Sequence, residues 1–189
     1  MPKIVDHESY RESLLEKAFE LFARKGYEIT MRELAREMDV STGTLYHYFS
    51  NKEEIFKQTM SYISRKQIQI LIDRIGKYKD KDEKVKNMFQ YILNNEKFFQ
   101  NTLFLIIDYY RQNGSTDPDN IIRDMADFYK FSISDQLGVM NKPLVSTFLS
   151  FTLGILLHRI LDPSAGDFDV QVSIVRSLML FVSSDSKVA

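Results

Sequence analysis

The sequence predicts an all-α protein of about nine helices. Three observations lead there. Glycine and proline are scarce, seven and four in 189 residues, and they stand at breaks between longer segments. Apolar residues recur at i, i+3, i+4 and i+7 within those segments. Strand-like alternation is absent, as are internal repeats and low-complexity tracts.

The first helix is predicted over Ser9 to Lys25, with Leu14, Leu15, Ala18, Phe19, Leu21 and Phe22 on one face and Gly26 as a left-handed terminator. Thr30 and Glu33 make a capping-box pattern before a short second helix whose stripe is Met31, Leu34, Ala35 and Met38. Asp39-Val40 forms a turn, and Ser41 is placed to cap a third helix, Thr42 to Tyr48. A second capping box, Ser50 with Glu53, is expected to open a long fourth helix ending near Gly76. The charged run Lys77 to Lys84 reads as a solvated connection. Five further helices follow, over about 82–95, 96–112, 118–138, 142–162 and 168–184, separated by turn signals such as Asn113-Gly114, Asp117-Pro118, Lys142-Pro143 and Asp162-Pro163.

Composition removes several function classes. Cysteine is absent, which excludes disulfides and thiolate chemistry and fits a cytoplasmic setting. The three histidines, His7, His47 and His158, are too scattered in sequence to promise a zinc site. Neither a metal nor any other cofactor is expected. No nucleophile elbow, phosphate loop or metal cluster marks an enzyme. The N-terminus carries acids and lacks the apolar region of a signal peptide. The longest near-apolar run, Phe148 to Leu157, is short for a membrane span, so no membrane partner is expected. The net charge is −1, and residues 1–57 hold nine Lys and Arg against eleven Asp and Glu. Any contact with nucleic acid therefore relies on local charge placement.

Two short helices joined by a tight turn and braced by a longer first helix form a helix-turn-helix, whose second helix normally enters the major groove. Here that stretch carries no carboxylate from Val40 to Lys52. It is rich in hydroxyls and aromatic hydroxyls that can donate to phosphate oxygens or reach base edges. Gly43 costs a helix about 1 kcal/mol relative to alanine, which points to close approach of something to the backbone. Leu45 and Phe49 have the spacing to anchor the helix inward, and Val40 to pack beneath the turn. Lys52 falls in the first turn of the following helix, where a cation opposes the helix dipole and a phosphate would relieve it. Taken singly, each residue has a plainer reading: Tyr46 and Tyr48 as rim aromatics, His47 as a surface histidine, Thr30 as a cap only.

Together, Ala18-Phe-Glu-Leu-Phe-Ala-Arg-Lys-Gly-Tyr27, Thr30-Met-Arg-Glu-Leu-Ala35, Val40-Ser-Thr-Gly-Thr-Leu-Tyr-His-Tyr-Phe49 and Lys52-Glu-Glu-Ile-Phe56 resemble the DNA-binding domain of the TetR/AcrR family of transcriptional regulators. The resemblance covers about a quarter of the chain. It departs at Asp39, where the family usually has glycine, and at Thr42, where a lysine or arginine is common. Aspartate tolerates the left-handed conformation better than most residues, so the turn is expected to survive. The resemblance implies that Thr30, Tyr46, Tyr48 and Lys52 contact phosphates with help from Arg32, that Thr42, Gly43, Thr44 and His47 face base edges, and that Ser41 caps and touches phosphate. It also implies a domain division into residues 1–56 for DNA binding and 57–189 for ligand sensing and dimerisation. The expected partners are operator DNA, a second copy of the chain and a small-molecule effector.

In the body, the many aromatics read by sequence alone as a helical core. By resemblance the region holds a ligand chamber, for which Phe89, Leu93, Phe104, Ile107, Asp108, Tyr110, Met125 and Phe128 are the candidates. Asp108 interrupts an apolar run and is either a ligand contact, an ion-pair partner for Arg111 or Arg123, or an exposed carboxylate. Phe148, Phe151, Thr152, Ile155, Leu156 and Arg159 follow helical spacing, as do Val172, Val175, Leu178, Met179 and Val182. These two sets are the dimer candidates, with Gly154 permitting close helix approach. A regulator whose body serves only dimerisation or a protein partner, without a small ligand, stands as the alternative, as does an activator.

Overall fold

The computed structural model describes residues 6–114, 121–138, 142–162, 164 and 168–185. Among them the chain forms α1 (His7–Lys25), α2 (Met31–Glu37), α3 (Thr42–Tyr48), α4 (Lys52–Ile75), α5 (Lys81–Asn94), α6 (Glu96–Asn113), α7 (Ile121–Leu137), α8 (Lys142–Leu161) and α9 (Phe168–Asp185), and no strand. The all-helical expectation holds. Asp117-Pro118 and Asp162-Pro163 lie wholly or partly outside the described residues.

Local chemistry sets the ends of the early helices. Helix α1 starts at His7 rather than Ser9, because the Asp6 carboxylate accepts the backbone N–H of Glu8 and Ser9, at 3.1 and 3.3 Å. It stops at Gly26, whose φ of 78° is positive as expected. Its ψ of 175° lies outside the left-handed helical region, in a conformation that only glycine adopts readily. Thr30 and Glu33 complete the expected capping box of α2.

The end of α2 is a Schellman motif. Val40 N–H reaches Ala35 O at 3.0 Å and Asp39 N–H reaches Arg36 O at 3.2 Å, with Asp39 at φ 57° in the place usually held by glycine. Ser41 then caps α3 by accepting Thr44 N–H at 2.9 Å. The cap of α4 differs from the Ser50–Glu53 expectation. Asn51 Oδ1 accepts Glu54 N–H at 2.8 Å, and Ser50 N–H donates to the Glu54 carboxylate at 2.7 Å. The register shifts by one because Glu53 is used elsewhere, accepting from Tyr109 and pairing with Lys57.

The chain folds as two compact units. The first contains residues up to Gln67 together with Phe104–Met125, so it takes in the C-terminal part of α6 as well as α1 to α3. Leu14, Leu15, Ala18, Phe22, Leu34, Ala35, Met38, Leu45, Phe49, Ile55 and Phe56 form its core, all at most 2% exposed. Burying each large apolar side chain contributes about 1.5–3 kcal/mol. Tyr109 of α6 closes this core. Its ring stacks on Phe56 at 4.8 Å and meets Tyr27 edge-on at 5.2 Å, while its hydroxyl donates to Glu53 at 3.3 Å. The second unit spans Ile68–Leu103 and Ala126–Ala189. Its described core includes Ile75, Val85, Met88, Phe89, Phe148, Leu156, Val172 and Val175. The pairs Arg159–Glu96 at 2.7 Å and Arg176–Asp82 at 2.6 Å lie at its half-buried margin.

Candidate nucleic-acid interface

Helix α3 has two faces of opposite chemistry. Leu45 and Phe49, one turn apart, are 0% and 1% exposed and hold the helix against the core of the first unit, where α2 packs on α3. Thr42, Gly43, Tyr46 and His47 share the opposite face; Gly43, Tyr46 and His47 are exposed and Thr42 is half-buried. Tyr46 stands 54% exposed, a poor position for a rim aromatic packed on its own fold. Ser41 is exposed, and its hydroxyl lies 2.8 Å from the half-buried Thr44 hydroxyl.

Gly43 is informative for what does not press on it. A Cβ there would meet Ser41 Oγ at 3.6 Å, an ordinary contact. The chain's own packing does not require glycine at this position. The close approach that glycine permits is available to a partner.

The phosphate candidates have distinct local partners. Thr30 is exposed, but its hydroxyl donates to Glu33 at 2.7 Å, and that bond holds the Glu33 carboxyl below the usual carboxylate range. Arg32 is exposed, with no ion pair among the described residues. Lys52 is half-buried: its ammonium donates to the Tyr27 carbonyl at 2.8 Å and sits 4.2 Å above the Tyr27 ring. Burial lowers its pKa, with Glu28 acting in the opposite sense. The unfavourable position of Lys52 in the helix dipole is thus relieved inside the unit by a carbonyl and an aromatic face. Tyr48 is half-buried; His7 Nδ1 lies 3.0 Å from its hydroxyl, and the Tyr10 ring lies 5.6 Å from its ring. His7, the first residue of α1, was not among the sequence candidates. Only the folded geometry brings it beside α3.

The ligand candidates do not gather in one described cavity. Phe89 is core, 1% exposed and edge-on to Phe148 at 5.2 Å; Phe128 packs against that core, and Leu93 is half-buried. Met125 is buried in the first unit, whereas Phe104, Ile107 and Tyr110 are exposed along α6. Asp108 lines an open polar cleft of about 340 Å³ with Lys25, Gly26, Glu28, Arg111 and Gln112, and makes no ion pair among the described residues.

The dimer candidates divide by face. Phe148, Thr152, Leu156, Val172 and Val175 point into the unit's own core, and Arg159 forms two bonds to Glu96, at 2.7 and 3.0 Å. Ile155 is half-buried, while Phe151 and Leu178 are exposed. Met179 and Val182 lie outside the described side chains. The exposed apolar side chains of α8 and α9 also include Leu153, Leu157, Leu161, Val170 and Ile174. This shift of face follows from helix geometry, since residues one position apart point about 100° apart. Pro143–Leu161 is longer than the near-apolar run seen in sequence, and by length and composition it could cross a membrane; 28% of that apolar stretch is buried within the chain.

A capped, hydroxyl-rich helix presented by a Schellman turn on a three-helix core has the geometry of a helix-turn-helix. Residues 14–59 match the family model for bacterial regulatory proteins of the tetR family. The chain is 29% identical over 133 residues to the HTH-type transcriptional regulator PksA of Bacillus subtilis, covering 70% of this chain and 54% of PksA. It is 26% identical over 128 residues to BetI of Brucella anthropi, covering 67% and 66%. The chain thus spans between about half and two thirds of the length of these relatives. The fold superimposes on the fatty acid degradation regulator FadR from Bacillus halodurans with a TM-score of 0.64 at 14% identity, covering 90% of this chain and 97% of that one. Residues 14–59 thus carry the sequence pattern of the tetR-family regulatory domain, and the fold resembles that of solved regulators such as FadR.

Proposed function

We propose that the chain binds operator DNA as a homodimer and represses transcription by occupying it, and that a hydrophobic or amphipathic small molecule releases it. The observation that carries this reading is the outward face of α3: Gly43, Tyr46 and His47 are exposed, contribute nothing to the chain's own core, and stand on a stretch without carboxylates. Ser41, Thr42 and Thr44 border that face, with Thr30, Tyr48 and Arg32 as phosphate donors nearby. Lys52 joins them once its ammonium turns from the Tyr27 carbonyl to a phosphate.

The second copy docks on the exposed apolar face of α8 and α9, centred on Phe151, Leu157, Ile174 and Leu178 rather than on Phe148 or Val172. Two recognition helices must reach successive major-groove faces about 34–36 Å apart, which one copy cannot do. The effector binds in the helical body, on the proposal that residues 57–189 are the sensing part. Ligand binding there favours one of two dimer geometries and so shifts operator affinity. The chain works in the cytoplasm, without cofactor and without catalysis.

The test is footprinting of the purified protein on the intergenic DNA upstream of its own gene, followed by a screen of apolar compounds for release. Protection overlapping a promoter, lost with one class of compound, supports the full reading. Protection that no compound relieves favours a body used only for dimerisation or for a protein partner. Protection upstream of a promoter that raises transcription identifies an activator.

A further inference from the structure

We propose that His7 is a proton-dependent positioning residue for DNA contact, so that DNA affinity rises as pH falls. The inference rests on the DNA-binding reading of α3 and adds a residue and a regulatory variable to it. His7 opens α1, far from α3 in sequence, yet its Nδ1 lies 3.0 Å from the Tyr48 hydroxyl. Its ring centre is 6.3 Å from that of Tyr48 and 6.4 Å from that of His47, and His47 in turn meets Tyr48 edge-on at 5.0 Å. Two imidazoles and a phenol therefore share one surface at the C-terminal half of α3. His7 and His47 are exposed and Tyr48 is half-buried.

The direction of the His7–Tyr48 hydrogen bond decides what Tyr48 can offer. A neutral imidazole presents one lone pair and one N–H. When Nδ1 holds the lone pair, it accepts the tyrosyl O–H, and that hydrogen is lost to a phosphate. When the ring is protonated, both nitrogens donate. Nδ1–H then bonds the phenolic oxygen, and the tyrosyl hydrogen is free to turn outward toward a phosphate oxygen. The proton taken from solvent also places a positive charge on a surface that has no carboxylate on α3. Histidine makes this change between about pH 5 and 8.

The charged groups around His7 begin with its neighbour Asp6, whose carboxylate interacts with it electrostatically. On α1, Ser9 engages the Asp6 carboxylate, and that hydrogen bond holds Asp6 below its ordinary range. Glu8 pairs with Arg11 at 3.1 Å, and the other terminal nitrogen of Arg11 donates to Gln58 of α4 at 2.5 Å. Tyr10 faces Tyr48, and α3 contributes His47 and Tyr48. Two neighbouring imidazolium groups repel each other in the free protein. Phosphate between or beside them removes that repulsion, so protonation and DNA binding favour each other.

The experiment is fluorescence anisotropy with a labelled duplex that the native chain selects from a random pool, at fixed ionic strength from pH 5.5 to 8.5. The native chain, His7→Gln, His47→Gln and Tyr48→Phe are compared. For His7 the slope of log affinity against pH lies between 0 and about −1, the limit for one proton taken up. His7→Gln should match native affinity near pH 8.5 and lose most of the gain toward pH 5.5. Its thermal unfolding should be unchanged, because His7 is exposed. Tyr48→Phe should likewise bind as the native chain does near pH 8.5, where His7 holds the tyrosyl hydrogen, and show a flattened gain toward pH 5.5. His47→Gln measures, and allows subtraction of, the share of the recognition-helix histidine. A His7→Gln profile with the full native slope overturns the inference, as does a native profile that is flat. Failure of the native chain to select or bind any duplex overturns the DNA-binding reading itself, and this inference with it.

Discussion

Helices α3 and α8 both expose a face that the folded chain does not use, but the chemistry of the two faces is opposite. Helix α3 has seven residues and shows hydroxyls, an imidazole and a glycine. It is fixed by Leu45, Phe49 and a serine cap, so its outward side chains are free of structural duty. Helix α8 has twenty residues and shows Phe151, Leu153, Leu157 and Leu161, the last 75% exposed. An apolar face of that length is costly in water, and exposed patches of this kind mark interaction sites. The contrast separates the two proposed partners by chemistry: the polar face of α3 suits a polyanion, and the apolar face of α8 and α9 suits another apolar surface.

The largest expected effect comes from charging the apolar face. Leu157→Glu combined with Ile174→Glu should leave the single chain folded, since both side chains are exposed. Sedimentation should show a monomer, and DNA affinity should fall by roughly 100-fold or more, as the two recognition helices no longer act together. An intact dimer in the double variant would remove α8 and α9 from the proposed interface.

Lys52→Ala comes next. It should weaken binding to all sequences alike and lower the slope of log affinity against log salt by about 1. A salt slope equal to native would show that the ammonium stays on the Tyr27 carbonyl in the complex.

Gly43→Ala sharpens the comparison, because it separates folding from binding. The added methyl has room in the free chain, and alanine favours a helix by up to about 1 kcal/mol over glycine. Thermal stability should hold or rise while DNA affinity drops. The equivalent change on the other face, Gly154→Ala, meets nothing within 4 Å in the single chain. It should leave the fold intact and weaken self-association.

Two smaller effects concern the supports of α3. Asp39→Gly should stabilise the fold by no more than about 1 kcal/mol, because φ 57° suits glycine better than an L-residue. The capping carboxylates supply a pH effect. The Glu33 carboxyl is held below its ordinary value chiefly by the Thr30 hydroxyl. Such a group adds stability above its unfolded pKa, and that stability is lost as pH falls through the folded value. Glu33→Gln should therefore make the acid limb of the unfolding temperature shallower, by a small amount because the group is exposed.

Much of α1 to α3 was legible because its determinants are local. Leu14 to Phe22 repeat at helical spacing, Thr30 and Ser41 cap, and Asp39 tolerates a positive φ. These rules need only a few consecutive residues. What escaped depends on contacts distant in sequence. Tyr109 read as a body aromatic, yet it completes the core beneath α4 through Phe56 and Tyr27. Lys52 read as an unopposed cation, but Tyr27 had already bent back to meet it. His7 carried no signal, because nothing near it in sequence announces Tyr48. On α8, periodicity identified an apolar helix but not which side looked inward, since its residues are apolar all round. The core took Phe148, Thr152 and Leu156, and the outward face passed to Phe151 and Leu157.

The measurement that tests the central claim most directly is selection of DNA from a random duplex pool by the native chain, with Tyr46→Ala carried in parallel. The account predicts enrichment of an inverted repeat whose half-sites are centred about one helical turn apart or a multiple of it, bound by two copies of the chain and depleted for the variant. A folded native chain that enriches no sequence, or a Tyr46→Ala variant that recovers the same repeat with equal affinity, would contradict it.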